Sequence, residues 1–209
     1  MPPFIIDRMA TALQADPLDY RARFDAQPAF LFDDPFAPEF LVRLMAQSAA
    51  ASFVDDDVEQ IGTRQIEAPQ RVGGAISILL ARSSLLTWLE AATGTGPLRA
   101  VAGRLVQTRA NGRDALAWHD DRDSATRKLA VVINLSDRPF DGGRFDLRHA
   151  GTEAPIVSHR HDRAGAIMVF AVRKGLEHRV TQVTAGGPRR VYAGWFLTEP
   201  EHHGGLARA

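Results

Sequence analysis

Two histidines, a carboxylate and an arginine carry the chemistry this chain could do. Trp118-His119-Asp120-Asp121 contains a His-x-Asp, and a second histidine, His178, stands far downstream in Leu176-Glu177-His178-Arg179-Val180. Two imidazoles and one carboxylate on one face of a divalent ion leave the opposite face open, a ligand set that suits non-haem Fe(II) with vacant positions. A lone His-x-Asp is also common in solvated turns. Two further facts favour the metal reading. His119 and Asp121 are two apart, so on an extended segment they point to the same side. His178 lies near a different strand, where a site built across a barrel needs its third ligand.

Arg189 adds the second half. The last apolar run alternates Arg189, Val191, Ala193, Trp195 and Leu197 against Arg190, Tyr192, Gly194 and Phe196. The first set is apolar except for Arg189, so an inward face takes Arg189 inward with it. A buried guanidinium is costly unless an anion pairs with it, and one carboxylate of a dicarboxylate cosubstrate meets that need in bidentate fashion. The plainer alternative is that Arg189 frays outward at the strand start and is solvated.

The elements that position these residues are mostly short strands. Arg99–Thr108 reads as a strand and Asn111-Gly112 as a hairpin turn. Leu116–His119 leads into the His-x-Asp. Leu129–Leu135 is a buried strand, Arg144–Arg148 follows the Gly142-Gly143 turn, and Pro155–Ser158, Ala166–Ala171, Leu176–Thr181 and Arg189–Thr198 complete about eight strands. Short strands with Gly, Pro and Asp turns indicate a double-sheet jelly roll, so the expected class is α+β, mainly β. Upstream, Asp7–Leu13 fits a short helix, Ala29–Phe32 a strand, and Pro38 opens a helix through Phe40, Leu41, Leu44 and Met45. Ile76–Ala92 shows helical spacing and stops at Thr93-Gly94, with Trp88 in the core. The expected organisation is one domain over 1–209. Residues 1–98 form a helical support region, 99–198 the jelly-roll core, and 199–209 a poorly ordered tail.

With those elements placed, the chain resembles the Fe(II)/2-oxoglutarate-dependent dioxygenases of the prolyl-4-hydroxylase-like group. The resemblance rests on His119-x-Asp121, Gly142-Gly143, His178-x-Val180-x-x-Val183, Gly186, Arg189 and Trp195, and covers Arg104 to Leu197. It implies a double-stranded β-helix, Fe(II) held by His119, Asp121 and His178, and 2-oxoglutarate as cosubstrate with its far carboxylate on Arg189. Trp195 stands six residues after Arg189, the family's usual spacing, which selects Arg189 over Arg190. It also implies O2 and a primary substrate as partners, ascorbate as a candidate reductant, and hydroxylation of an unactivated C–H bond in a protein side chain or small molecule with release of succinate and CO2. The chain departs from the family in places. Arg109 stands where relatives carry a Tyr before Gly112, and Asn134 where many have a Tyr that helps bind 2-oxoglutarate. Asn134 is therefore the second candidate cosubstrate contact. The turn before Arg189 is slightly longer than usual.

Composition narrows the alternatives. The 209 residues are 45% hydrophobic with a formal net charge of +0, so no global charge draws the chain to nucleic acid or an anionic membrane. There is no cysteine, hence no disulfide, thiolate metal site or cysteine nucleophile, which is compatible with a cytoplasmic location. No secretory signal and no membrane-length apolar stretch is present. The oligomeric state is not readable. Two other classes use the same scaffold: a non-catalytic metal or 2-oxoglutarate sensor, and a cupin-like metalloenzyme. Val54–Gly74, acidic and weakly periodic, reads as a loop with a strand near Ile61–Glu67, either a mobile lid over the site or a surface loop without a role. His159 and His161 form another i, i+2 pair but sit among Arg160, Asp162 and Arg163 and read as a polar loop. His202-His203 lies in the tail.

Overall fold

The computed structural model describes residues 1–58 and 61–200. The chain opens with a hairpin, β1 (Phe4–Ile6) and β2 (Thr11–Leu13), where a helix was expected. Asp7 is the reason. Its Oδ1 accepts the backbone N–H of Met9 and Ala10 at 2.6 and 2.7 Å, closing a turn that competes with a helical start. Helix α1 (Leu18–Ala26), strand β3 (Ala29–Phe32) and helix α2 (Pro38–Ala49) follow, α2 with Pro38 in its first turn as the sequence indicates.

Residues 53–58 and 62–67 are paired strands, not a loop: β4 (Phe53–Val58) pairs with β5 (Gly62–Glu67) from Phe53–Glu67 to Val58–Gly62. Their cross-strand contacts are polar, Arg64 to Asp56 at 2.8 Å and Gln65 to Asp55 at 2.9 Å, so they lack the apolar alternation that marks a strand in sequence. Glu67, buried, accepts the backbone N–H of Val72 and Gly73 at 2.7 and 2.8 Å and starts the next helix. Gly73-Gly74 thus lies inside a helix and is no hinge. The expected single helix over Ile76–Ala92 is two, α3 (Val72–Leu80) and α4 (Ser83–Thr93), bent by 65°. Arg82 at the break is extended and donates to the carbonyls of Asp7 and Arg8 at 2.8 and 2.6 Å, tying the bend to the first hairpin. Trp88 is in the core as expected, edge-on to Phe4, and its Nε1 donates to Ala15 O at 2.9 Å. Among the described residues no single helix is long and apolar enough to cross a membrane.

The remaining strands are β6 (Ala100–Thr108), β7 (Ala115–His119), β8 (Arg127–Asn134), β9 (Phe140–Gly142), β10 (Phe145–His149), β11 (Val157–His159), β12 (Ile167–Ala171), β13 (Leu176–Val180), β14 (Val183–Gly186) and β15 (Arg189–Leu197). One antiparallel sheet runs β11-β10-β13-β7-β5-β6-β15-β8-β12-β3, with β4 beside β5 and β9 with β14 as a separate ribbon. It curls into two facing walls, a double-stranded β-helix. The walls meet where Phe145 on β10 packs on Phe170 of β12, ring centroids 4.8 Å apart. The region before residue 99 therefore supplies three strands to the sheet besides its helices.

The wall that matters most is β6-β15-β8. Strand β15 pairs with β6 from Arg189–Thr108 to Leu197–Ala100 and with β8 on its other side. Its alternation is the one the sequence shows. Val191, Ala193 and Trp195 face the cavity between the walls, whereas Tyr192 faces α3 and its hydroxyl lies 2.8 Å from Ser77 Oγ. Helix α3 rests on β6 so closely that a Cβ on Gly73 would stand 2.8 Å from Leu105 N.

Candidate active site

The cavity between the walls gathers the candidate residues. It encloses about 760 Å³ including its open mouth, and its lining includes His119, Asp121, His178 and Arg189. Strand register brings the histidines together. His178 on β13 lies directly opposite His119 at the end of β7, and their ring centroids are 4.1 Å apart. Asp121 reaches both: Oδ1 is 3.4 Å from His119 Nε2 and Oδ2 is 3.4 Å from His178 Nε2. One donor atom from each of the three residues fits within 4.8 Å of the others. The route to this convergence differs from the expected one. Strand β7 ends at His119 and Asp121 has φ +55°, a left-handed conformation that Asp tolerates better than most residues. A turn, not strand parity, aims the carboxylate.

The neighbours fix each donor. His119 Nδ1 donates to Ala117 O at 2.7 Å, which leaves Nε2 to face the triad. Trp195 Nε1 donates to Asp121 Oδ2 at 2.9 Å. His178 is wedged between Phe145 and Phe170, with ring centroids at 5.9 and 4.8 Å. Burial, with Asp121 and His119 nearby, sets the charges. Burial pushes His178 down to about 4, so its ring is neutral near pH 7. Burial also opposes the charged forms of His119 and Asp121. Their mutual hydrogen bond and attraction outweigh it, so His119 is raised and Asp121 held well below the usual carboxylate range. Two imidazole nitrogens and one ionised carboxylate, oriented by outer partners, form a donor set that fits a divalent ion and keeps one side open.

Arg189 lies at the closed end of the same cavity, 3% exposed. Burial lowers its guanidinium to about 10, and its Nε has no hydrogen-bond partner among the described residues. Its stem passes over Gly143, where a Cβ would stand 2.7 Å from Arg189 Cδ; Gly143 also has φ +59°, so a side chain is excluded twice over. The Gly142-Gly143 signal in the sequence is thus the floor under this arginine.

Other sequence candidates fall elsewhere. Asn134 is fully buried opposite Val191 but does not line the cavity. Its Oδ1 is taken by Ser136 N and Oγ at 3.0 and 2.7 Å, and its Nδ2 has no partner among the described residues. Arg109 turns away to Asp114 and Asp55, both at 3.1 Å. Arg190, on the opposite face of β15, does not line the cavity. It is 7% exposed and bonded to Gln107 and Asp137, with Phe53 of β4 beneath it. His161, read as part of a polar loop, is fully buried; its Nε2 donates to Ala166 O at 2.8 Å and its Nδ1 has no partner among the described residues. The tail histidines His202 and His203 lie outside the described residues. Two cavity residues were missed altogether: Arg64 on β5 and Arg104 on β6. Parity along β6 from Thr108 would have found Arg104, had the pairing of β6 with β15 been known.

Residues 105–197 match the family model of the 2OG-Fe(II) oxygenase superfamily. No curated protein matches the chain. Solved structures with the same fold include a Pseudomonas putida prolyl-4-hydroxylase, 20% identical with TM-score 0.66, covering 88% of this chain and 100% of that one. Another is an oxidoreductase of the 2OG-Fe(II) oxygenase family from Burkholderia pseudomallei, 18% identical with TM-score 0.61, covering 89% of this chain and 92% of that one. A third is a Trichoplax adhaerens prolyl hydroxylase in complex with a hypoxia inducible factor peptide fragment, 14% identical with TM-score 0.64, covering 87% of this chain and 89% of that one. Residues 105–197 are thus similar to the 2OG-Fe(II) oxygenase superfamily, on a chain folded like the prolyl-4-hydroxylases.

Proposed function

We propose that the chain is an Fe(II)- and 2-oxoglutarate-dependent hydroxylase, with His119, Asp121 and His178 as the iron ligands and Arg189 as the anchor for the far carboxylate of 2-oxoglutarate. The observation that carries this reading is Arg189, a buried cation with no anion beside it among the described residues, in the same cavity as two imidazoles and a carboxylate. A metal-binding cavity alone would not need it. Iron with 2-oxoglutarate and O2 supplies the oxidising power: one oxygen atom leaves in succinate with loss of CO2, and the other enters a C–H bond of the substrate.

The protein's residues do the placing. Trp195 holds Asp121 by its indole N–H, and Ala117 O holds His119 in the tautomer that frees Nε2. Arg189 fixes the cosubstrate's direction along β15. The apolar walls, among them Val131, Phe145, Phe170 and Val191, keep water from the reacting centre.

The test has two stages. Under nitrogen, Fe(II) plus 2-oxoglutarate should give a weak visible charge-transfer band, and in air the complex should release succinate. A band without succinate, over a broad substrate screen, would leave a chain that binds metal and 2-oxoglutarate without turnover. No band would refute the assignment of the site.

A further inference from the structure

Arg104 is the cavity residue that the assignment above leaves without a task. It sits on β6 opposite Ala193, on the face that Val191, Ala193 and Trp195 share, and lines the cavity. Arg189 is four residues from Ala193 along β15, roughly 13 Å. Trp195, which holds Asp121, is two residues from Ala193 in the other direction. Arg104 is therefore at the level of the metal triad, not at the closed end. It is half-buried, and no hydrogen bond or ion pair joins its guanidinium to any described residue. The guanidinium of Arg64, which lines the same cavity, is already held by Asp56 at 2.8 Å.

Charge accounting shows what is missing. A divalent iron and Arg189 are balanced by Asp121 and the two carboxylates of 2-oxoglutarate, and Arg64 by Asp56. Among the described residues that line the cavity, one positive charge remains, that of Arg104. Burial and the nearby Arg64 and Arg127 cations disfavour that charge, although Asp56 offsets them in part. A desolvated guanidinium of this kind is relieved by one anion. The walls around it, including Val106, Leu116, Val132 and Val180, are apolar.

We propose that the primary substrate is a monoanionic carboxylic acid, its carboxylate held by Arg104 and its apolar chain laid over the metal triad. This rests on the hydroxylase reading. It adds the substrate class, and it assigns Arg104 as the residue that selects acid over neutral analogue. A phosphate monoester, with close to two negative charges, is a poorer match for a single free cation.

Calorimetric titration under nitrogen tests it without turnover. The protein is loaded with Fe(II) and 2-oxoglutarate, then titrated with apolar monocarboxylates, from hexanoate and phenylacetate to N-acetyl-leucine and N-acetyl-phenylalanine. Each acid is matched by its carboxamide, and a set of alkyl and aryl phosphate monoesters is run alongside. At least one acid should bind about tenfold or more tightly than its amide, the loss expected for one charge-assisted hydrogen bond. Arg104→Met should erase that preference and leave 2-oxoglutarate binding unchanged. Arg104→Gln, checked by thermal melting, serves if the Met variant does not fold. Equal binding of acid and amide, a preference that survives in both variants, tighter binding of the phosphate esters, or no binding by any acid overturns the proposal. Failure of 2-oxoglutarate itself to bind would instead overturn the hydroxylase reading.

Discussion

Replacing Arg189 by Met should move two measurements in opposite directions. In the ligand-free protein Arg189 is a cation without an anion among the described residues, and burial lowers it from 12.5 to about 10, which corresponds to about 3 kcal/mol against the charged form. Because the side chain is 3% exposed, solvent screening reduces that figure little. Met keeps most of the apolar stem that passes over Gly143 and removes the charge. The ligand-free variant should therefore be as stable as the wild type or more so, by up to about 3 kcal/mol, in urea denaturation. Binding of 2-oxoglutarate should suffer the reverse. The variant loses a desolvated ion pair worth about 2–5 kcal/mol, so affinity for 2-oxoglutarate should fall about a hundredfold or more. Calorimetry with the Fe(II) protein under nitrogen reads this directly, and Fe(II) affinity itself should hardly change. A variant that is clearly destabilised yet still binds 2-oxoglutarate normally would show that Arg189 supports the fold through a contact of its own, and the cosubstrate anchor would have to be sought elsewhere.

Three further outcomes follow from the same structure. Trp195→Phe removes the N–H that orients Asp121 and should lower Fe(II) affinity by about ten- to a hundredfold in a chelator competition; unchanged affinity would mean the Asp121 turn alone sets the carboxylate. Arg190→Met breaks bonds to Gln107 and Asp137 and should cost about 2–3 kcal/mol of stability in urea denaturation, while the folded protein keeps its affinity for 2-oxoglutarate; a loss of affinity as large as that of Arg189→Met would defeat the assignment. His161 is held neutral by burial, its folded value about 3 against 6.5 unfolded. The unfolded chain takes the proton first, so the stability from this group is complete above about pH 6.5 and falls as pH drops toward 3, by about 1.4 kcal/mol per unit. Between pH 7 and pH 5 the wild type should lose about 2 kcal/mol more than His161→Leu; parallel losses would mean that the ring is not buried neutral.

The parts of the site legible in sequence are those whose meaning is local or periodic. Arg189 could be placed because β15 is long and alternates cleanly, so one apolar face carried the arginine with it. His119 and His178 could be paired because both end up on short strands, yet only the register of β7 with β13 sets them opposite each other. Asp121 does meet the two histidines, but not by strand parity: its direction comes from a left-handed turn after β7, which no parity rule anticipates. The misread segments share another cause. The β4–β5 pair is held by Arg64–Asp56 and Gln65–Asp55 across the strands, and the break between α3 and α4 by Arg82 on the carbonyls of Asp7 and Arg8. In both places polar side chains, not apolar periodicity, define the element, and their partners are visible only after folding. His161 belongs to the same group, since Arg160, Asp162 and Arg163 around it are exposed and mask its burial. Arg104 follows from this. Its sequence neighbours are an ordinary strand, and only the pairing with Ala193 turns it toward the metal triad. A charge whose role depends on a long-range register, beside a cavity that the cosubstrate leaves one negative charge short of neutral, is the kind of residue a sequence hides and a substrate would find.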